Sequence, residues 1–253
     1  MKKLISVLIV IAMIAAFAAV CASAELKTCQ PGKLIMATNA AFPPYEFVSD
    51  EDGETIVGID AEIAGLIAGK LGLELQIEDI EFASIVSGVQ QGKFDIGMAG
   101  MTVTEERLKN VDFSSTYAQG VQAIIVPEGS DIKSADDLAG HKIGVQESTT
   151  GHIYCEDEFG ADNVIAFSIG ANAVEALKAG KVDCVVIDNN PAKAFVEANE
   201  GLVLLDTAYT EEDYAICTSK ENKELTEAID QILVELIEDG SVQEVLDKYI
   251  SAE

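Results

Sequence analysis

The chain has 253 residues, and its 44 acidic side chains outnumber its 16 lysines and arginines, which gives a formal net charge of −28. A protein this acidic repels nucleic acid and anionic lipid headgroups, so we exclude both as partners. The two histidines and five cysteines show no metal-ligand spacing and no C-x-x-C pair, so we expect no metal, no cofactor and no compact disulfide framework.

The N-terminus has the parts of a secretory signal peptide. Two lysines precede the apolar run Leu4–Val20, and Ala22-Ser23-Ala24 predicts cleavage before Glu25. The run is shorter than a membrane span, and no second one follows. We therefore predict a signal peptide over residues 1–24 and an extracytoplasmic protein. A lipid anchor at Cys21 remains the alternative, although lipoprotein signals prefer a small residue where Val20 stands.

Strands and helices then alternate along the chain. The predicted strands span residues 33–38, 73–77, 93–99, 111–117, 121–126, 142–146, 164–168, 181–187, 202–205 and 214–217. The predicted helices span 60–71, 84–91, 134–138, 148–159, 171–179, 222–239 and 241–250, with two more opening near Thr102 and Pro191. Asp60 is predicted to cap its helix, Phe82 to lie in a loop, and Leu66 and Ile237 to face inward. The alternation predicts α/β layers with mostly parallel sheets.

A short internal repeat indicates two similar lobes. Gly92-Lys93-Phe94-Asp95 recurs as Gly180-Lys181-Val182-Asp183, each time after a helix and before a buried strand. We predict one lobe over residues 25–117 and 213–253 and a second over 118–212. Two extended segments, Tyr117–Val121 and Thr210–Tyr214, are predicted to join them.

Four strand ends are expected to converge on one cleft. In open α/β sheets ligands bind beyond the carboxyl ends of the strands, and here those ends are Asn39, Gly100, Ser148 and Asp188. The predicted cleft would therefore draw its residues from both lobes.

The cleft would hold one cation and one anion. Arg107 is the only arginine, and its planar fork can grip a carboxylate with two parallel hydrogen bonds. Asp188 could pair with an ammonium, so a zwitterion fits between them. Two plainer interpretations remain: Arg107 on a solvated helix, and Asp188 as a helix cap.

Hydroxyls and aromatic rings complete the predicted pocket. Thr102, Thr149 and Thr150 offer hydroxyl and N–H groups, unless the last two only start a helix. The apolar walls are expected from Phe42, Tyr45 and Phe82, residue types that also occur in ordinary cores.

Five segments together resemble a known family. They read A-T-N-A-A-F-P-P-Y-E-F (37–47), V-G-I-D-A-E-I-A (57–64), A-G-M-T-V-T-E-E-R-L-K-N-V-D-F-S (99–114), I-G-V-Q-E-S-T-T-G (143–151) and D-C-V-V-I-D (183–188). In this order they resemble the polar amino acid-binding proteins of bacterial ABC importers, solute-binding protein family 3, over essentially the whole mature chain. The resemblance implies a two-lobed periplasmic-binding-protein-like fold of type II that delivers a free amino acid to a membrane permease, as a monomer and without enzyme activity.

The resemblance also implies roles for the site residues. Arg107 would hold the α-carboxylate with Thr102 and the Thr149–Thr150 segment, while Asp188 and the Gly100 carbonyl would hold the α-ammonium. The ligand's side chain would lie between Phe42 and Phe82, with Asn39 and Tyr45 near its tip.

Two departures from the family pattern bear on the ligand and the hinge. Several relatives that bind basic amino acids carry an acid where Asn39 stands, although Glu46 could supply that charge. Many relatives have a tyrosine where this chain has Ala118.

Two other functions remain as alternatives. An enzyme on the same scaffold, such as a dehydratase, would need a general acid over the pocket, for which Glu46 and Glu147 are the candidates. A receptor's sensor domain is the other, and the absence of a following membrane segment disfavours it. The amino acid bound, and any pairing among Cys29, Cys155, Cys184 and Cys217, stay open.

Overall fold

The computed structural model describes residues 26–206 and 210–250. The predicted signal peptide and Cys21 lie outside these residues. No helix in the described ranges is both long enough and apolar enough to cross a bilayer.

The first lobe contains the early strands and both ends of the described chain. Its elements are β1 (Lys33–Thr38), β2 (Ala41–Phe42), β3 (Glu46–Val48), β4 (Ile56–Val57), α1 (Ile59–Leu71), β5 (Glu74–Asp79), α2 (Phe82–Gln90), β6 (Ile96–Gly97) and α3 (Glu105–Leu108). The last two helices of the described chain complete the first lobe; they follow the second lobe in sequence.

A long strand, β7 (Val111–Pro127), leads into the second lobe. That lobe contains the 3₁₀ turn Ala135–Leu138, β8 (Ile143–Gln146), α4 (Thr150–Phe159), the 3₁₀ turn Ala161–Asn163, β9 (Val164–Phe167), α5 (Gly170–Lys178), β10 (Cys184–Asp188), α6 (Asn189–Ala198) and β11 (Leu202–Leu204). The chain returns through β12 (Thr210–Ser219) to α7 (Lys223–Glu238) and α8 (Ser241–Tyr249).

The two lobes share one curled sheet. Among the described residues it has nine strands in the order β5-β1-β6-β12-β7-β10-β8-β9, with β11 also paired to β7. The outer strands of each half run parallel, whereas β7 and β12 are antiparallel to each other and to their other neighbours. The mixed α/β, two-lobed architecture expected from the sequence is therefore confirmed.

The segments predicted as hinges are parts of these two long strands. The sequence suggested separate strands at 111–117 and 121–126, but β7 is continuous because its middle pairs with β12 from Ala118↔Tyr214 to Gln122↔Thr210. The register shifts on either side of Ala215. The lobes are thus joined by a paired two-stranded ribbon.

Three local predictions were wrong for long-range reasons. Asp60 does not cap α1; the cap is Gly58, at φ 127°, where a Cβ would lie 2.3 Å from the Tyr45 carbonyl oxygen. Phe82 begins α2 instead of lying in a loop. Leu66 and Ile237 are 39% and 40% exposed, because the buried faces of α1 and α7 are narrower than the apolar spacing suggested.

The repeated G-K-x-D motif performs the same task in both lobes. The Asp95 carboxylate accepts a hydrogen bond of 2.8 Å from the N–H of Ile35 in β1. Asp183 likewise accepts one of 2.7 Å from the N–H of Lys142, at the start of β8. Each motif therefore ties the loop before one strand to the neighbouring first strand.

The described cysteines are unpaired thiols. Cys155, Cys184 and Cys217 are buried, and Cys29 is exposed. Nowhere in the described ranges do three His, Cys, Asp or Glu side chains gather in a way that could hold a metal ion.

Candidate functional site

A small cavity lies where the two lobes meet. It opens at the carboxyl ends of β1, β6, β8 and β10, the four strand ends expected to converge. Its lining residues are Asn39, Phe42, Glu46, Phe82, Ala99, Gly100, Thr102, Arg107, Gln146, Thr149, Thr150 and Asp188. Nine of the ten residues predicted for the site lie in this lining, and Tyr45 does not.

Arg107 lies at the wall of the cavity and is not on a solvated face. Thr104 caps the short α3, because its hydroxyl accepts a hydrogen bond from the Arg107 N–H. Arg107 itself is only 8% exposed. Nη1 donates to the Thr102 carbonyl at 2.7 Å, and Nη2 donates to the Ser148 carbonyl of the other lobe at 3.1 Å. The guanidinium also lies 5.3 Å from the centre of the Phe82 ring. Burial lowers the pKa of this group, whose charge is nevertheless retained at neutral pH.

Asp188 ends β10 just before α6, but its side chain makes no capping hydrogen bond. Its Oδ2 accepts from Gln122 Nε2 at 2.9 Å, and its Oδ1 accepts from the Tyr214 hydroxyl. Burial, together with the nearby charge of Glu212, raises the pKa of Asp188 to about 7. The helix-cap interpretation of this carboxylate therefore finds no support in its contacts.

The three threonines differ in their contacts. Thr149 caps α4, accepting from the His152 N–H at 3.2 Å while its hydroxyl donates to the Gln146 carbonyl at 2.8 Å. Thr150 is buried in the first turn of α4. The Thr102 hydroxyl donates to Glu212 Oε2 at 3.1 Å. Thr149 thus serves as a helix cap and as part of the cavity wall.

Gly100 is held close to the aromatic wall. It has φ 51°, and a Cβ there would lie 2.8 Å from a ring carbon of Phe42. Its N–H donates to Asp60 Oδ2 at 2.9 Å. A side chain at this position would therefore push into the space between the backbone and the ring.

Tyr45 lies behind the wall and not near the centre of the cavity. It is fully buried, its ring lies 5.9 Å from that of Phe42, and its hydroxyl accepts from Asn190 Nδ2 at 3.0 Å. Asn39 does reach the cavity, where its Oδ1 accepts from Gln146 Nε2 at 2.9 Å. Both contacts join one lobe to the other.

Several buried polar groups escaped the sequence analysis. Gln146 lines the cavity, and its position at the end of β8 was the available signal. Asp60 resembled a helix cap, yet its Oδ1 accepts from the Tyr117 hydroxyl at 2.8 Å and its Oδ2 from Gly100. Gln122 and Glu212 lie on β7 and β12, where nothing local marks them as buried.

Four buried carboxyl groups lie in the cavity wall or contact residues of it: Glu46 and Asp188 line the cavity, while Asp60 and Glu212 accept from Gly100 and Thr102. Glu46 lines the cavity, and its Oε2 is buried without a hydrogen-bond partner. Burial raises its pKa well above the usual range, and the charge of Asp60 adds to the effect. Burial also raises the pKa of Asp60, to about 6. Together with Asp188 and Glu212, these groups give the site four buried carboxyl groups, and burial opposes ionisation of at least three of them.

The chain resembles a family of transport proteins. The family model for bacterial extracellular solute-binding proteins, family 3, matches residues 34–252. The arginine-binding extracellular protein ArtP of Bacillus subtilis (strain 168) is 31% identical over 229 residues, covering 87% of each chain.

Two solved structures have the same fold. An ancestral arginine-binding protein bound to glutamine superposes with a TM-score of 0.83 at 38% identity, over 88% of this chain and 100% of that one. An arginine-bound, truncated form of ArgBP from T. maritima gives 0.77 at 39% identity, over 81% and 96%.

Proposed function

The chain belongs to the bacterial extracellular solute-binding proteins, family 3, and we propose that the amino acid it captures carries a cationic side chain, with L-arginine as the first candidate. Like its relatives, it is an extracytoplasmic binding protein that holds an amino acid between its lobes and serves an ABC transporter. The cavity between the lobes, lined by one guanidinium and by two carboxyl groups, Glu46 and Asp188, is the observation that carries the choice of ligand.

Arg107 is proposed as the group that holds the α-carboxylate. Its fork lies at the cavity wall, oriented by two backbone carbonyls and by the Phe82 ring. A carboxylate can accept from the guanidinium in parallel, and Thr102, Thr149 and Thr150 border the same wall. This arrangement supports one end of a zwitterionic ligand.

Asp188 is proposed as the group that holds the α-ammonium. It is 5% exposed, lines the cavity and is oriented by Gln122 and Tyr214. Burial disfavours the charged form of Asp188, and an ammonium placed beside it would stabilise that form. The Gly100 carbonyl is proposed as a second acceptor for the same ammonium.

The charge balance favours a third charged group on the ligand. A neutral side chain would leave Glu46 Oε2 buried and without a partner, which is costly for a polar atom. A guanidinium or ammonium would give that oxygen a donor and would favour the charged form of carboxyl groups whose ionisation burial opposes. Two relatives support the same class: one is named an arginine-binding protein, and ArgBP from T. maritima has been solved in an arginine-bound form. Phe42 and Phe82 would cover the aliphatic part of such a ligand, with Asn39 nearby and Tyr45 supporting Phe42 from behind.

The lobes close by bringing Arg107 and Asp188 together. We propose the boundaries 25–117 with 213–253 for lobe 1 and 118–212 for lobe 2, with bending at Tyr117–Val121 and Thr210–Tyr214. The contact of Arg107 with Ser148, and that of Asn39 with Gln146, would break when the cleft opens. Ligand favours the closed form through the contacts that only the second lobe provides.

The family is one of solute-binding proteins and not of enzymes, and we propose that this chain has no catalytic activity. Glu147, one candidate for a general acid, is exposed and lies outside the cavity lining. Glu46 lies inside it, but we assign it to ligand charge. We also propose a monomer, released by cleavage after Ala24 or anchored through Cys21; the mass of the exported protein separates these two forms.

A thermal-shift screen of the twenty amino acids, cystine and ornithine tests the proposal. A ligand at a hundred times its dissociation constant should stabilise the protein by about 2.7 kcal/mol. We expect L-arginine, L-lysine or L-ornithine to give the largest shift. Stabilisation by a neutral amino acid alone would refute the cationic class while keeping the amino acid site, and no shift with any of them would refute both.

A further inference from the structure

Glu212 is a buried carboxylate in the ribbon that joins the lobes. It lies on β12 opposite Gly120 of β7 and is 5% exposed, whereas its neighbours Glu211 and Asp213 are exposed. A charged side chain is rarely buried unless it is hydrogen-bonded to partners that require it. Its contacts therefore indicate what it does.

Glu212 does not line the ligand cavity. It lines a groove behind the cavity, and Thr102 borders both spaces. Glu212 therefore reaches the ligand site through the residues that it contacts and through its charge.

The contacts of Glu212 lead to Thr102, beside the proposed carboxylate site, and to Asp188, the proposed ammonium site. Its Oε2 accepts from Thr102 Oγ1 at 3.1 Å and from Gln122 Nε2 at 3.0 Å. The same nitrogen of Gln122 donates to Asp188 Oδ2 at 2.9 Å. The two hydrogens of one amide are thus divided between two carboxylates, one in the ribbon and one in the second lobe.

The position of Gln122 is fixed by close packing. A Cβ at Gly151, in the first turn of α4, would lie 2.6 Å from Gln122 Oε1. The amide therefore cannot be displaced towards α4 without contact with that helix. Its orientation then depends on the two carboxylates that accept from it.

We propose that Glu212 is a positioning residue of the amino acid site, which orients Thr102 for the ligand's α-carboxylate and, through Gln122, Asp188 for its α-ammonium. The inference rests on the proposed function of the cavity. Since Thr102 belongs to the first lobe and Asp188 to the second, Glu212 links the two halves of the clamp at the ribbon about which they move.

The negative charge of Glu212 has a second consequence, which allows a test. Burial is the largest cause of the raised pKa of Asp188, and the charge of Glu212 is the next largest. Asp188 therefore binds a proton more readily in the empty cavity than it would without Glu212. That proton must leave before Asp188 can pair with an ammonium, and affinity should fall as pH falls through this range. The other groups that act on Asp188 or face it are Tyr214 from β12, Gln122 from β7, Arg107 from α3, Tyr154 from α4, and Tyr45 and Glu46 at β3.

The test uses the mature protein and titration calorimetry with L-arginine and, separately, L-glutamine, from about pH 5 to about pH 9. Glu212→Gln should bind about two- to tenfold more weakly at the alkaline end, the usual effect of one hydrogen bond. Its acid midpoint should move to lower pH, because Asp188 loses a neighbouring negative charge. Glu211→Gln, which removes the same charge from the exposed neighbour, should keep both quantities.

A wild-type midpoint together with wild-type affinity in Glu212→Gln would overturn the inference. If that variant does not fold, Glu212→Asp keeps the charge and shortens the side chain: it should keep the midpoint and weaken binding, and unchanged affinity would overturn the inference. A wild type that responds to no amino acid in the thermal-shift screen overturns the proposed function first, so the two failures are distinct.

Discussion

Replacing Arg107 with lysine is the sharpest test of the proposed clamp. The guanidinium donates to Thr102 and Ser148 carbonyls and lies 5.3 Å from the Phe82 ring centre. Lysine keeps the charge but cannot make both backbone contacts and still offer two parallel donors to a carboxylate. Arg107→Lys therefore separates the geometry of the fork from its charge.

The expected loss follows from these contacts. One charge-assisted hydrogen bond contributes about 1.5–3 kcal/mol, and each 1.4 kcal/mol corresponds to about a tenfold change in Kd. Binding of L-arginine should weaken by about ten- to a hundredfold. Loss of the Ser148 contact and of stacking on Phe82 should lower the free energy of unfolding by about 1–3 kcal/mol.

Titration calorimetry gives the affinity, and urea unfolding gives the stability. Lys109→Gln is the control, because Lys109 lies on the same turn but is exposed and pairs only with Glu106 at the surface. A folded Arg107→Lys protein with wild-type affinity would refute the carboxylate clamp.

Three further predictions concern the acidic groups of the cavity. Asp188→Asn should weaken amino acid binding by a hundredfold or more, because a buried ammonium without its partner costs about 3–5 kcal/mol; calorimetry showing unchanged affinity would return Asp188 to a structural role. Glu46→Gln should weaken L-arginine binding at least tenfold and leave binding of L-citrulline, its neutral analogue, unchanged. Equal losses of affinity for both ligands would show that Glu46 does not bind the ligand's cationic side chain. Since the folded pKa of Asp188 is raised to about 7, its contribution favours folding at low pH and is lost as pH rises from about 4 to about 7. The stability of the ligand-free wild type relative to Asp188→Asn, measured by urea unfolding, should therefore fall across that window, and a rise would contradict the assignment.

The sequence predicted the architecture well where the signals were local or repeated. Asp95 and Asp183 occupy equivalent places because each accepts from the backbone of its lobe's first strand. The repeat therefore reported a real structural requirement, and the strand ends at Gly100 and Asp188, each five residues beyond the aspartate of its motif, could be placed from it.

Prediction failed where the partner of a side chain is distant in sequence. Asp60 stands where a helix cap would stand, but its carboxylate accepts from Gly100 and Tyr117, which come far later in the chain. Glu212 is flanked by exposed acids and gave no sign that Gln122 and Thr102 would bury it. A buried polar group is identified by the donors around it, and those are set by the tertiary fold.

The place of β12 in the sheet bears on the order in which the protein can fold during synthesis. β12 lies between β6 and β7, and α7 packs against β7 and α1, although both elements come after the whole second lobe in the sequence. The second lobe can complete its strands as soon as they leave the ribosome, whereas the first lobe lacks a central strand until nearly the entire chain has been made. A growing chain therefore cannot close the sheet of its first lobe until β12 has been made, so that lobe stays incomplete longer than the second.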